Sequence, residues 1–437
     1  MVGRGVKRTA PEGRPPSPGA VPQVGARAAG SYGLLTAAAS VLGLAKTVAL
    51  AKILGANDLG YYGVVLIVLP FGTYLSTVGT LAALGVELPT AFGANDRNAE
   101  GLRDRALGLV VLATSVIGMI YLLIVASVPV SDPNMRTVLA LGAFTVALNS
   151  LFEFYLTVLR ATVRLVPLAT AYLARSGLAF TGTLTAGALF GYRGAIVSEA
   201  IVLLVLVVYI ARRLEPTVRI RLPRREESAR LIRIGVPLSM ANFALAVSLF
   251  ADRTFVAVTL PDDLGQYTLA AVVTVAWLAA AGFVAQAVGA SALHAYGSGL
   301  SLSGVRRRVG RASATALGAG ALGLPVVIVL VDWLKDGAFS DYARGLDVVP
   351  ILYAGGALST VSIYAYVLLA ARKFGLVLAA TLAGLIVGLG GGIVIALGDP
   401  SIEEYAWTFF ASQAVAAGVT IVGVELVHRS YRRLSAS

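Results

Sequence analysis

Apolar residues in this chain come in blocks, and polar residues gather between them. Each block approaches the roughly 20 residues a helix needs to cross about 30 Å of hydrocarbon. Twelve blocks predict helices near 31–54, 59–80, 106–128, 138–159, 165–189, 193–211, 234–260, 266–288, 312–331, 347–370, 374–397 and 405–427. The connectors are too short for a soluble domain of useful size. The widest polar interruption, Arg212 to Arg233 (RRLEPTVRIRLPRREESARLIR), carries eight arginines and two prolines and falls after the sixth block. The expected fold class is an all-α integral membrane protein, with about twelve transmembrane helices in two pseudo-symmetric six-helix lobes around a central cavity. The expected boundaries are a cytoplasmic tail at 1–29, a first lobe at 30–213, a linker at 214–232, a second lobe at 233–428 and a tail at 429–437.

A repeated phrase supports the division. Asp-Leu-Gly-x-Tyr occurs at Asp58–Tyr62 and again at Asp263–Tyr267, each time closing the opening hydrophobic helix of a half. Asp58, Gly60 and Tyr62 thus pair with Asp263, Gly265 and Tyr267 as turn motifs of a duplicated unit. Internal symmetry of this kind is how many transporters are built, with the working site between the halves.

Composition agrees. The chain is 57% hydrophobic and 13% charged, with a net charge of +12 and a mean hydropathy of +0.81. With the N-terminus placed in the cytoplasm, the inner segments hold 27 Lys and Arg residues and the outer connectors five, Lys52, Arg136, Arg193, Lys335 and Arg344. That bias predicts a multi-pass protein of the plasma membrane with both termini cytoplasmic. It also assigns the positive charge to anionic lipid headgroups, so nucleic acid need not be a partner.

Other classes lose support. The first 26 residues are rich in Pro, Gly and Arg and lack the apolar core of a signal peptide, so a disordered tail is expected. Without cysteine there is neither disulfide nor thiolate chemistry. The two histidines, His294 and His428, sit at span ends with no metal or acid–base helpers, and no GxxxxGK[ST] phosphate loop exists. The longest outer connector, near Asp332–Asp347, is too short for the catalytic loop of a membrane polymerase or ligase. No enzyme, cofactor or metal site is expected. Coupling to Na⁺ or H⁺ stays open.

Charges inside spans are the candidate chemistry, because each costs about 2.5–3.5 kcal/mol on insertion scales unless it meets water or a partner. They are Lys46, Glu153, Arg175, Glu199 and the pair Asp252–Arg253. Lys46 lies twelve residues before the first repeated phrase; Asp252 and Arg253 lie eleven and ten before the second. At about 1.5 Å per residue these sit at matching depth, near mid-membrane. The reading that follows sets Lys46 and Arg253 on the walls of a shared, cationic central cavity that suits an anionic ligand. Lys46, Arg175, Asp252 and Arg253 are the substrate-binding candidates. Arg175 with Glu199 makes a candidate structural ion pair. Glu153 has Arg160 or Arg164 as partners, or a coupling-ion role.

The segment SVLGLAKTVALAKILGANDLGYYGVVLIV, Ser40 to Val68, resembles the first helix pair of the oligosaccharide flippases. These form the polysaccharide-transporter branch of the multidrug/oligosaccharidyl-lipid/polysaccharide (MOP) exporter superfamily. The family's basic-x-Leu/Phe-Gly…Gly-x-Tyr phrase reads here as Lys52, Leu54, Gly55, Gly60 and Tyr62. LFADRTFVAVTLPDDLGQYTLA, Leu249 to Ala270, is similar to the family's seventh span, and ELPTAFGANDRNAEGLRDRAL to its loop before the third. The resemblance implies two lobes in a V around a cavity, with Lys46 at the place of a cationic cavity residue. Those flippases often carry a further arginine a turn earlier, where this chain has Ser40. Phosphate recognition would then fall to Arg175 or Arg253.

The function expected from that resemblance is flipping of a polyprenyl-phosphate- or pyrophosphate-linked glycan from the inner to the outer leaflet by alternating access. The anionic headgroup would rest in the cationic cavity and the tail would stay among membrane lipids. The alternatives are a MATE-like drug or cation antiporter of the same superfamily, which would prefer an acidic cavity, and a major-facilitator transporter. The loop Gly304–Arg311 mimics the latter's basic signature, but no matching Gly-x-x-x-Asp-Arg pattern follows the second span.

Overall fold

The structure is a computed structural model that describes residues 26–436, apart from 97, 128–132, 223, 261–262 and 337–342. The expected tail at 1–29 lies almost wholly outside the described residues, as does Asp262. For Gly60, Gly265 and Lys52 only the helical backbone is described.

All regular structure among the described residues is helical: α1 (Ala26–Ser76), α2 (Thr80–Gly93), α3 (Ala99–Ser127), α4 (Pro133–Ala161), α5 (Leu165–Tyr209), α6 (Arg225–Thr259), α7 (Leu264–Gly297), α8 (Leu302–Lys335), α9 (Ala343–Ser359), α10 (Tyr366–Ala370), α11 (Phe374–Ala396) and α12 (Ile402–Ala436). Eight described helical segments are long and apolar enough to span a bilayer.

Twelve helices and twelve passes do not correspond one to one. As a straight rod α1 would measure roughly 76 Å, far more than a bilayer. It is not straight. Lys46 Nζ donates to the Tyr62 hydroxyl at 3.0 Å, although 16 residues separate them. In a rod they would stand about 24 Å apart along the axis. The chain therefore turns back between Lys46 and Tyr62, which makes two antiparallel passes. The second pass breaks where Val78 and Gly79 take positive φ (47° and 77°), then continues as α2. The fifth and sixth passes lie in α5, split at Gly191 (φ 62°, ψ −155°). The α9 helix, a tight 3₁₀ stretch Thr360–Ala365 and α10 form the tenth pass. The total is twelve passes, six on each side of the linker.

Helices outlast the apolar blocks on the side that carries both termini. The inner loop expected at 85–105 is mostly helix, and its connector shrinks to the few residues between α2 and α3. Similarly α6 starts nine residues before its block and α8 ten before. Hydropathy records where lipid begins, whereas helical hydrogen bonding continues into the headgroup zone and beyond. The linker is pinned to the first lobe. Arg103 Nη2 donates to the Thr217 carbonyl at 3.2 Å, Arg221 pairs with Asp104 at 3.2 Å, and Arg164 pairs with Glu215 at 2.7 Å.

Each lobe has its own core. Phe152, Phe154, Leu156, Leu159, Leu168 and Leu203 anchor the first. Tyr267, Val349, Leu352, Tyr405 and Phe409 anchor the outer part of the second. The lobes meet on the terminus side, where Gly79 and Gly235 bring two backbones together so closely that a Cβ on either would overlap the other chain. Gly93 and Gly297 make similar approaches, to His294 and Thr90.

Candidate functional site

The repeated phrase lies at a helix corner of each lobe, on the side away from the termini. In the first, the Asp58 carboxylate lies over Gly191, where a Cβ would come within 2.9 Å of Oδ2. The glycine permits both the positive φ of the turn and this approach. Tyr61 stacks beside Tyr192 with ring centres 4.8 Å apart. Two helical hairpins are thereby locked corner to corner, and the chain between them sets the depth of Lys46, Tyr62 and Glu199.

These three side chains form a closed triad. Lys46 pairs with Glu199 and donates to the Tyr62 hydroxyl, and Tyr62 donates to Glu199 Oε1 at 2.8 Å. With Lys46 and Glu199 side chains only 12% and 7% exposed, this is a buried ion pair. The expected partner of Glu199 was Arg175; the structure supplies Lys46 instead. Arg175 makes no ion pair among the described residues, and its guanidinium lies 5.2 Å from the Phe152 ring centre.

A cavity of about 320 Å³ opens beside the triad, lined by Lys46, Asn149, Glu153, Arg175, Ser176 and Glu199, among others. Asn149 donates to Thr73 Oγ1 at 2.9 Å, while its Oδ1 is buried without a partner. Glu153 pairs with Arg160 at 3.0 Å, one of the two partners the sequence offered. Asn149 and Ser176 were not anticipated, although an amide within an apolar span is a readable signal. By formal charge the walls are balanced, two cations against two carboxylates.

The second lobe arranges its charges differently. Asp252 Oδ2 accepts from the Tyr267 hydroxyl at 2.7 Å, and Oδ1 is buried without a partner. Arg253 packs over Phe250, 5.1 Å from the ring centre, and its Nε also lacks a partner. No ion pair joins Asp252 to Arg253 among the described residues. Lys46 lines the polar cavity and Arg253 is not among its lining residues. The residues that line the Lys46 cavity all come from the first lobe, and Lys46 turns to Glu199 of the sixth pass.

A second, largely apolar cleft of about 650 Å³ lies between the lobes. Tyr32, Thr36 and Ser40 of the first pass face Phe283, Ser291 and Arg308 of the second lobe across it. Ser40 and Gly43, less than one helical turn apart on α1, belong to the cleft and the polar cavity respectively. No group of three His, Cys, Asp or Glu residues is placed to hold a metal ion among the described residues.

No family model and no curated protein matches this chain. Solved structures do. A MATE protein in complex with MaL6 superposes with a TM-score of 0.77 at 14% identity, covering 94% of this chain and 97% of its own. A multidrug resistance MATE transporter of the MOP superfamily in an outward-facing conformation gives 0.76 at 14%, with the same coverage. A MOP superfamily transporter from Pyrococcus furiosus, described by a binding pocket of reversed polarity that suggests a different function, gives 0.76 at 15%, covering 94% of this chain and 96% of its own. The chain has the twelve-span, two-lobe fold of these proteins.

Proposed function

We propose that the protein is a membrane transporter of the MOP superfamily that moves a lipid-linked oligosaccharide across the bilayer by alternating access. The observation that carries this reading is the nearness of two unlike spaces along one helix. The apolar interlobe cleft takes Ser40, and the polar cavity of Lys46 and Arg175 takes Gly43, from within one turn of α1. A polyprenyl-linked glycan needs both, since its phosphate and sugars cannot cross hydrocarbon unaided while its tail has no reason to leave it.

Within the cavity, Arg175 is the group we assign to the phosphate. Its planar fork matches phosphate oxygens, it packs over the Phe152 ring, and among the described residues no carboxylate pairs with it. Lys46 is engaged by Glu199 and would contribute only if the incoming anion drew it away. Arg308, among the residues that line the cleft, is a further cation a headgroup could meet.

The balanced charge of the cavity favours a second reading, a drug or cation antiporter like the MATE proteins whose fold the chain shares. Glu153 and Glu199 would then receive the cation. Reconstitution in vesicles separates the two. A fluorescent polyprenyl-pyrophosphate glycan should flip at a rate that Arg175→Ala reduces about tenfold or more, as loss of one charge-assisted phosphate contact implies. Ethidium efflux without any glycan flipping would overturn the flippase reading and leave the antiporter.

A further inference from the structure

Beneath Glu153 the same face of α4 carries a second polar group. Seven residues make nearly two helical turns, so Glu153 and Arg160 stand one above the other. Arg160 Nη2 donates to Glu153 Oε2 at 3.0 Å and to the Tyr172 hydroxyl at 2.7 Å. Tyr172 in turn donates to Gln286 Oε1 at 2.9 Å. Gln286 belongs to α7, in the other lobe. The Tyr172 ring sits edge-on to Phe283 at 5.3 Å, and the Phe283 carbonyl accepts from the Tyr32 hydroxyl at 3.2 Å. An unbroken hydrogen-bonded path thus runs from the wall of the polar cavity to the contact between lobes.

We propose that Arg160 and Tyr172 are positioning residues, a relay that carries the charge state of Glu153 to the lobe contact at Gln286. The proposal rests on the transporter reading above, and it adds the means by which the cavity and the lobe interface report to each other.

The chemistry of each link supports it. A phenol has one proton, and Tyr172 gives it to Gln286 while its lone pairs receive the Arg160 guanidinium. That incoming bond is charge-assisted, so it polarises the hydroxyl and strengthens the outgoing one. Arg160 is held in turn by the Glu153 carboxylate. When Glu153 loses its charge, Arg160 loses its strongest partner. It also has another hydrogen bond to give, since its Nε is buried without an acceptor. Re-aimed, it would leave Tyr172 a poorer donor and Gln286 a weaker tie between lobes. Lys46, Arg175 and Glu199, which share the cavity, are the charges through which a ligand would act on Glu153.

The chain has no cysteine, so paired spin labels can be placed cleanly. Arg213→Cys, near the end of the sixth pass, and Ser430→Cys, near the end of α12, are exposed positions on separate lobes. The full chain in lipid nanodiscs, labelled at both, reports the distribution of lobe separations. Glu153→Gln, which mimics the uncharged acid, should change the ratio of closed to open populations by about threefold or more, the scale of coupling within one hydrogen-bond network. That response should vanish in Tyr172→Phe and Gln286→Leu backgrounds and survive in Gln286→Glu, which keeps the acceptor. An undiminished response in both cut backgrounds, or no response to Glu153→Gln, would overturn the relay. Glu87→Ala, which removes the separate ion pairs with Arg230 and Arg372, is the control for motion itself. If it shifts the distribution while Glu153→Gln does not, only the relay fails. If neither moves it, the transporter reading fails too.

Discussion

Tyr62 and Tyr267, the closing residues of the two repeated phrases, each bury a hydroxyl against a buried carboxylate, at 2.8 Å from Glu199 and 2.7 Å from Asp252. The halves have kept this bond and changed everything around it. In the first, the carboxylate comes from the sixth pass, and Lys46, one residue out of register with Asp252 under the repeat, also meets the tyrosine hydroxyl.

The two bonds should therefore differ in cost. Tyr267→Phe leaves Asp252 without a side-chain hydrogen bond, whereas Tyr62→Phe leaves Glu199 still paired with Lys46. We expect Tyr267→Phe to lower stability by about 1–3 kcal/mol, the desolvation penalty of a stranded buried group, and Tyr62→Phe by less. Thermal unfolding of the purified variants in one detergent checks the ranking.

Lys46 and Glu199 should be strongly non-additive. Removing either alone strands a charge in a site that is at most 12% exposed, at a cost of about 3–5 kcal/mol. Lys46→Met combined with Glu199→Gln removes both charges and should lose much less than the two singles together. A double-mutant cycle on unfolding temperature measures the difference, and simple additivity would show that the pair is not coupled.

Glu87 joins the lobes on the terminus side. It is 6% exposed on α2 and pairs with Arg230 at the start of α6 and with Arg372, 2.9 Å away, in the connector before α11. Arg372 belongs to the second lobe and Arg230 to the helix that leads into it. Nearby, Ser298 Oγ donates to the Gly93 carbonyl at 2.8 Å. Opening this face requires breaking the ion pairs. Glu87→Ala should raise the labelling rate of Ser298→Cys by a water-soluble maleimide several-fold. Glu87→Arg with Arg372→Glu should restore the slow rate in part, since one pair is rebuilt and Arg230 is left without its acid.

Gly79→Val tests the backbone contact. The residue has φ 77°, which a β-branched side chain resists, and any Cβ would overlap Gly235. The lobes should separate on the terminus side, with the same rise in Ser298→Cys labelling. Unchanged labelling would mean that the two backbones part without loss.

The twelve passes were legible because lipid enforces them: a buried backbone without water must be helical, and roughly 20 apolar residues announce each crossing. The helix ends were not, since α2, α6 and α8 continue through residues as polar as any loop. Charged residues within spans stood out for the same reason the spans did. Their partners did not. Lys46 and Glu199 are separated by 153 residues, and nothing local says which way a helix is rotated. Depth alone matched Lys46 to Asp252 and Arg253. It found their near-equivalence under the repeat but not the partners that each one meets. Glu87 was hidden differently, by lying in a stretch whose charges all read as loop.

That long separation sets a schedule for the newborn chain. At about 5–20 residues per second, Glu199 leaves the ribosome some 8–30 seconds after Lys46. For that interval the first helix holds an ammonium at membrane depth with no carboxylate to meet it, and the Tyr62 hydroxyl is the earliest companion to arrive. The ion pair that ties the opening helix into the first lobe cannot form until the sixth pass has been made.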